Sequence, residues 1–223
     1  MKKNKKLLIF DLDGTLIDSV PDLANSVNYT LEQLNMKSYK EDTIRQWVGN
    51  GASTLVKRAL SGDVDISLDL DEELFNKALE IFLDYYSKHS CDNTIMYNNV
   101  KDTLESLKNK GYILTIVTNK PYDFIKPILK SLGIEDLFSY YIGADSLSVK
   151  KPNPEPLLHI CKKFGISIEQ SVMIGDSKND ILAANSANIE SIGVTYGYNY
   201  DEDISVYKPT LIIDDFKKLL ISL

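Results

Sequence analysis

The sequence predicts an α/β fold in which a parallel sheet is flanked by helices, with one additional helical domain. Short, continuously apolar segments recur along the chain, and helical patterns lie between them. Apolar segments of this kind are typical of strands buried on both faces, and their alternation with helices is typical of βαβ units. A long, purely helical stretch near the start predicts the additional domain.

The first predicted strand is the run Lys5–Phe10, which stops abruptly at Asp11. Further segments of the same type are Ile113–Thr118, Val172–Gly175, Ser191–Val194 and Leu211–Ile213. Glycines follow three of the helical patterns, as expected at helix C-termini. The four patterns are Val100–Lys110, Asp123–Leu132, Pro156–Phe164 and Asp180–Ala187.

No strand is predicted between about Ser19 and Ser90. Pro21 suits a first helical position, and apolar residues after it are spaced along one helix face. Two more helical patterns follow, Ala52–Leu60 and Glu72–Tyr86. We therefore expect an all-helical cap domain at residues 19–90. Residues 1–18 and 91–223 are expected to form a Rossmann-like α/β core.

The composition argues against several classes of function. The 223 residues carry a net charge of −7, which disfavours nonspecific binding to nucleic acid or anionic membranes. No apolar stretch approaches the roughly 20 residues of a membrane span, and the run after Met1–Lys6 is too short for a signal peptide. Two cysteines imply no disulfide framework. We expect a soluble cytoplasmic protein that binds neither nucleic acid nor membrane.

The sharpest motif is Asp11-Leu12-Asp13-Gly14-Thr15, directly after the first strand. Ligands of open α/β sheets bind beyond the carboxyl ends of the strands, where this motif lies. At about 5 Å and an effective dielectric constant near 20, two carboxylates repel by roughly 3 kcal/mol. A divalent cation, a shared proton or both must offset that repulsion. A solvated acidic turn is the alternative interpretation.

A second acidic segment, Gly175–Asp180, follows another apolar strand. Asp176 and Asp180 are four residues apart and face the same way on the opening turn of a helix. Alone, the segment is equally typical of a helix cap. Together with Asp11 and Asp13, it supplies the carboxylate oxygens that Mg²⁺ prefers. We expect the four carboxylates to converge on one cation.

Two further elements fit a phosphate-binding site. Thr118-Asn119 end a predicted strand, where a hydroxyl and backbone N–H groups can bind phosphate oxygens, although Thr118 alone is typical of a helix cap. Lys151 can supply an ammonium, although a loop lysine is usually solvated. The four carboxylates remain net negative even with Lys151 and Mg²⁺. A substrate phosphate would therefore favour a protonated Asp13, which is suited to general acid catalysis.

These motifs resemble those of the haloacid dehalogenase-like hydrolase superfamily, occur in that family's order and match without departure. The predicted cap lies where the family carries its helical caps. Other segments look like those of the phosphoglycolate phosphatases, so that the resemblance covers essentially the whole chain. They are Trp47–Ala52, Leu55–Leu60, Val117–Pro121, Lys150–Leu158 and Thr195–Tyr200.

The resemblance implies a Mg²⁺-dependent phosphatase that hydrolyses 2-phosphoglycolate through an aspartyl-phosphate. Asp11 would attack phosphorus, and Asp13 would transfer the proton. Mg²⁺ would be held by an Asp11 oxygen, the Asp13 backbone carbonyl and Asp176. The phosphoryl group would be bound by Thr118, Asn119 and Lys151, with Lys151 also helping to neutralise it.

The resemblance also suggests roles outside these central residues. Asp180 would orient Lys151 or a metal-bound water. In the predicted cap, Gly49 and Asn50 precede a helix N-terminus that suits an anion. Arg58 or Lys57 is the candidate partner of the substrate carboxylate, with a solvated helix face as the alternative.

Three other functions remain open. A related capped phosphatase could act on another small phosphate ester or on pyrophosphate. A sugar-phosphate mutase is disfavoured because nothing indicates how its aspartyl-phosphate would be protected from water. A phospho-accepting signalling module is disfavoured because such receivers are much shorter and lack a helical insertion. We expect a small phosphorylated substrate and a monomer or homodimer.

Overall fold

The computed structural model describes residues 4–200 and 202–223 and contains a six-stranded parallel sheet. The predicted core includes residues 1–3, which lie outside the described part. Across the sheet, the strands are Tyr140–Ile142 (β5), Ile113–Val117 (β4), Leu7–Phe10 (β1), Ser171–Gly175 (β6), Glu190–Val194 (β7) and Leu211–Ile213 (β8). The predicted fold class, a parallel sheet flanked by helices, is confirmed.

Helices cover both faces of the sheet. They are Val100–Asn109 (α5), Tyr122–Ser131 (α6), Glu155–Phe164 (α7), Lys178–Ala187 (α8) and Leu219–Ser222 (α9). Successive side chains of a strand point to opposite faces. Leu7 and Ile9 of β1 therefore pack with α7 and α8, whereas Leu8 and Phe10 pack with α5 and α6. This two-sided burial explains why β1 is continuously apolar.

Four helices lie between β1 and the rest of the sheet, and we call residues 19–90 the helical insertion. Its helices are Val20–Gln33 (α1), Glu41–Arg45 (α2), Ala52–Ser61 (α3) and Glu72–His89 (α4). As predicted, the insertion contains no strand, and all of its residues are described. Helix α1 packs against α4 and α2, and α4 packs against α3. The division into cap and core domains stays a prediction.

The insertion is joined to the sheet by two short connections that pair with each other. Ile17–Asp18 (β2) and Ile95–Met96 (β3) form an antiparallel pair. Beside them, the buried Asp22 carboxylate of α1 accepts hydrogen bonds from the backbone and side chains of Asn93 and Thr94. These bonds fix the entry and exit of the insertion relative to each other.

The elements that the sequence did not predict are short or lie at an edge. Strand β5 contains two half-buried tyrosines and pairs only with β4, so it lacks the continuous apolar pattern of a central strand. Strands β2 and β3 have two residues each, and α2 has five. No described helix is long and apolar enough to cross a membrane.

Candidate active site

Three buried carboxylates meet where the neighbouring strands β1 and β6 end. Asp11 follows β1, Asp176 follows β6, and Asp180 lies in the first turn of α8. Each offers an oxygen within 4.8 Å of the other two. Carboxylate oxygens in this arrangement are suited to a divalent cation with hard-ligand preference. The convergence follows from the topology, because β1 and β6 are parallel and adjacent.

Burial and mutual repulsion make this cluster electrostatically unfavourable. Burial, followed by the charge of Asp180, raises the pKa of Asp11 to about 7, although Lys151 opposes the shift. Burial and the charges of Asp180 and Asp11 raise the pKa of Asp176 well above its usual range. The cluster therefore favours binding of protons or of a cation, each of which removes negative charge.

Lys151 is the buried ammonium that compensates part of this charge. Its Nζ lies 3.0 Å from Asp11 Oδ1 and 2.6 Å from Asp180 Oδ1. The other Asp180 oxygen accepts hydrogen bonds from the backbone and hydroxyl of Ser177, in a capping box at the start of α8. Asp180 is thus held by its own helix and contacts Lys151, as the orienting role expected for it requires. That role itself stays a prediction.

The Asp13 carboxylate is not part of this cluster, whereas we expected all four carboxylates to converge. It accepts hydrogen bonds from Ser19 Oγ at 2.5 Å and from Lys120 Nζ at 2.9 Å. Burial alone would lower the pKa of Lys120, but the charge of Asp13 and further contacts raise that pKa above its usual value. Asp13 as a metal ligand through its backbone carbonyl stays a prediction.

Two glycines leave the space that Asp176 occupies. A Cβ on Gly14, whose φ is +83°, would lie 2.2 Å from Asp176 Oδ2, and a Cβ on Gly197 would lie 2.3 Å from Asp176 Cβ. The Asp176 carboxylate accepts hydrogen bonds from the Thr15 hydroxyl at 2.7 Å and from the Tyr198 backbone N–H at 2.8 Å. Asp176 is therefore fixed by the turn after β1 and by the segment after β7.

That second segment, Thr195–Tyr200, has three tyrosines at alternate positions, and the structure shows what each contacts. The Tyr196 hydroxyl donates to the Thr15 carbonyl, and the Tyr198 hydroxyl donates to Asp18 in β2. Tyr200 hydrogen-bonds Asn50, in the loop before α3. The segment thus contacts the turn after β1, strand β2 at the entry to the insertion, and the loop before α3 within the insertion.

The predicted phosphate-binding residues lie beside Asp11. Thr118 and Asn119 are buried at the end of β4 and line the same cavity as Asp11 and Asp13. The Asn119 side-chain N–H group donates to the carbonyls of Gly49 and Lys151. The side-chain oxygen of Asn119, Oδ1, has no hydrogen-bond partner among the described residues. The end of β4 therefore lies at the same site as the carboxylate cluster and Lys151.

A cavity that is partly open to solvent lies between these residues and the helical insertion. Its insertion wall is mainly apolar and consists of Leu23, Val48, Gly49, Gly51, Ala52, Leu55, Phe82 and Tyr86. Two polar residues of the cavity, Lys120 and Tyr86, were missed from the sequence. Lys120 could have been found from its position directly after Thr118-Asn119. Tyr86 carried no signal, because it continues the buried face of α4.

Of the predicted cap residues, Gly49 lines the cavity, whereas Asn50 and Arg58 make other contacts, and the role of all three in substrate binding stays a prediction. Asn50 Oδ1 accepts a hydrogen bond from Asn179 and does not line the cavity. The Arg58 guanidinium donates to the Trp47 and Val64 carbonyls, also outside the cavity. The guanidinium also lies over the Tyr200 ring, 5.5 Å from its centre, so that the charge of Arg58 is directed to these groups.

Buried carboxylates, a buried lysine and a cavity beside them fit a hydrolase acting on phosphoric monoesters. The chain belongs to the haloacid dehalogenase-like hydrolase family, whose sequence profile matches residues 8–194. A Colwellia psychrerythraea protein named phosphoglycolate phosphatase is 54% identical, over 99% of this chain and 98% of its own length. Its counterpart of the same name from Pasteurella multocida is 45% identical over 96% of both chains.

Solved structures show the same fold. A predicted phosphoglycolate phosphatase from Haemophilus somnus is 43% identical and superimposes with a TM-score of 0.92, covering 100% of both chains. A Lactobacillus delbrueckii protein at 28% identity gives a TM-score of 0.89, covering 100% of this chain and 98% of the other. This chain is accordingly a phosphoric monoester hydrolase of the same family.

Replacing Asp176 with Asn should separate metal binding from folding. The amide can accept from Tyr198 and donate to Thr15, and the loss of one buried charge relieves repulsion with Asp11. We expect the metal-free variant to be at least as stable as the wild type. Mg²⁺ at a hundredfold excess over its Kd should stabilise the wild type by about 2.7 kcal/mol but not the variant. Thermal unfolding with chelator and with Mg²⁺ measures both; equal stabilisation of the two proteins would contradict the metal site.

Replacing Gly197 with Ala should disturb the site through Asp176. The added Cβ meets Asp176 and the Gly14 carbonyl at 2.3–2.4 Å, so one of them must move. We expect the Kd for Mg²⁺ to rise by about tenfold or more, equivalent to 1.4 kcal/mol. Calorimetric titration measures the Kd, and far-ultraviolet circular dichroism checks the fold. An unchanged Kd in a folded variant is the outcome that this prediction excludes.

Proposed function

We propose that the protein hydrolyses 2-phosphoglycolate to glycolate and phosphate in a Mg²⁺-dependent reaction. The observation that carries the proposal is that Asp11, Asp13, Thr118 and Asn119 line one cavity. Lys151 forms an ion pair with Asp11 at the same place. The named relatives support the choice of substrate, because they are 45–54% identical over nearly their whole length.

In the first step, Asp11 attacks the phosphorus atom of the ester. The bond from phosphorus to the glycolate oxygen breaks, and an aspartyl-phosphate forms, which divides one difficult displacement into two. Thr118 and Asn119 bind the phosphoryl oxygens, and Lys151 neutralises charge on the phosphoryl group and on Asp11. Lys151 is suited to this because it is already held beside Asp11 by Asp180.

Asp13 transfers the proton in both steps. It donates a proton to the departing glycolate oxygen and later accepts one from the water that attacks phosphorus. The second step releases phosphate and restores the free Asp11 carboxylate. Ser19 and Lys120 hold the Asp13 carboxylate on the cavity side of the turn, away from the Asp11 cluster. The two carboxylates of one motif thus have separate tasks because their surroundings differ.

The residues present fit a Mg²⁺ ion. Asp11 and Asp176 offer buried oxygens close to one another, and the high pKa that each acquires indicates uncompensated negative charge. We propose that these carboxylates and the Asp13 backbone carbonyl hold the ion. When bound, Mg²⁺ would neutralise charge on the transferring phosphoryl group.

We further propose that residues 19–90 act as a cap that covers the cavity during the reaction and excludes water from the first step. The apolar insertion wall supports this role. Cys91 and Cys161 are not joined by a disulfide, and a cytoplasmic location, where thiols stay reduced, is part of the proposal. A monomer or homodimer remains our expectation for the assembly.

Replacing Asp11 with Asn should abolish turnover, because an amide cannot serve as the nucleophile. We expect kcat to fall by at least about a thousandfold. Steady-state assay of released phosphate measures kcat, and thermal unfolding verifies that the variant is folded. Asp84→Asn, which changes an exposed carboxylate of α4, is the matched control and should keep wild-type kcat. Near-normal turnover by the Asp11 variant would rule out the covalent mechanism.

A panel of phosphate compounds should identify the substrate. We expect kcat/KM to be highest for 2-phosphoglycolate, compared with ethyl phosphate, sugar phosphates and pyrophosphate, and to vanish with chelator. A higher value for pyrophosphate or another ester would favour the related capped phosphatase. Isomerisation of a sugar phosphate would indicate a mutase, and stable phosphorylation without turnover would indicate a receiver module.

A further inference from the structure

Tyr86 places an unused hydrogen-bond donor beside the cavity. The residue is 1% exposed, lies in α4 and lines the cavity wall. Its hydroxyl has no acceptor among the described residues, and the nearby Lys120 ammonium cannot accept a hydrogen bond. Leaving a buried hydroxyl unsatisfied costs free energy, so this donor is expected to have a partner when the cavity is filled.

Lys120 brings a positive charge to the same place. Its Nζ lies 4.9 Å from the centre of the Tyr86 ring, and the residue is 5% exposed. Both oxygens of Asp13 accept from it, at 2.9 and 3.2 Å. An ammonium has three donors, so Lys120 has one beyond the two that Asp13 accepts, and this third donor lies beside the Tyr86 hydroxyl, where a shared acceptor can meet both groups.

The side chains around Tyr86 and Lys120 indicate which kind of hydrogen-bond acceptor the two residues bind. Apolar side chains of Leu23, Phe82 and Phe124 line the cavity around this pair. An anion that leaves water for such a wall must be compensated by charge and by hydrogen bonds. A carboxylate meets both donors at once, since its two oxygens can accept from a hydroxyl and an ammonium.

We infer that Tyr86 and Lys120 form a subsite for the carboxylate of the substrate, at the opposite end of the molecule from the phosphoryl group. This inference rests on the proposed function, because 2-phosphoglycolate is the ligand that carries a carboxylate. It takes over the task that the sequence assigned to Arg58. Because Tyr86 belongs to the insertion and Lys120 follows β4, the carboxylate would bridge the two sides of the cavity.

The test compares two substrates that differ in the carboxylate. Ethyl phosphate has a methyl group where 2-phosphoglycolate has its carboxylate, so the ratio of their kcat/KM values reports on the subsite. Tyr86→Phe removes one donor to a charged group. We expect the ratio to fall by about tenfold to a hundredfold, mainly because the phosphoglycolate binds more weakly and its KM rises. Tyr85→Phe is the matched control on the same helix, since Tyr85 stacks against Tyr29 and His89, and it should keep the ratio.

The outcomes separate this inference from the proposed function. A wild-type enzyme without preference for 2-phosphoglycolate over ethyl phosphate would overturn the proposed substrate. A wild type with that preference, retained within twofold by Tyr86→Phe, would overturn the subsite alone. Lys120→Gln, which keeps a donor but loses the charge, gives a second measurement and should also lower the ratio by at least tenfold; an unchanged ratio there would likewise overturn the subsite.

Discussion

The structure depends on one electrostatic constraint, the burial of three carboxylates where β1 and β6 end. Asp11, Asp176 and Asp180 offer oxygens close enough to share one cation, in surroundings that raise the pKa of the first two. Such a cluster persists only because its neighbours compensate it. Lys151 supplies charge, and hydrogen-bond donors from the turn after β1 and the segment after β7 fix the oxygens. The repulsion between these carboxylates therefore destabilises the metal-free protein, and the same carboxylates give the protein its affinity for a cation.

The same constraint explains why two carboxylates of one motif differ. Asp11 belongs to the cluster, whereas Asp13 lies beyond it, next to the turn at Gly14, and is paired with Lys120. If Asp13 joined the cluster, a fourth negative charge would have to be compensated there. Separation from the cluster instead leaves Asp13 beside the cavity, where it is placed for the proton transfers that we propose. Chemistry of this kind needs two acidic groups in unlike surroundings rather than two equivalent ones.

Elements whose burial imposes an apolar pattern could be predicted from the sequence, whereas the contacts of individual polar side chains could not. The central strand β1 was predictable because it is covered on both faces, whereas the edge strand β5 was not. The convergence of Asp11 with Asp176 followed from two parallel strand ends. For Arg58, the sequence gives the charge of the side chain but not the carbonyls to which its guanidinium donates. Tyr86 resembled an ordinary core residue, since only the three-dimensional structure shows a buried hydroxyl without an acceptor.

The cavity is built from two parts of the chain that are held together by polar contacts near its rim. Gly49 and Asn50, before α3, accept hydrogen bonds from Asn119 and Asn179, and Tyr200 reaches the same loop. These bonds hold the loop before α3 against the ends of β4 and β6. A ligand bound on both sides would add its own interactions to theirs. If the insertion closes over the cavity as we propose, substrate binding and closure form one equilibrium, and a ligand that lacks either end contributes less free energy to closure.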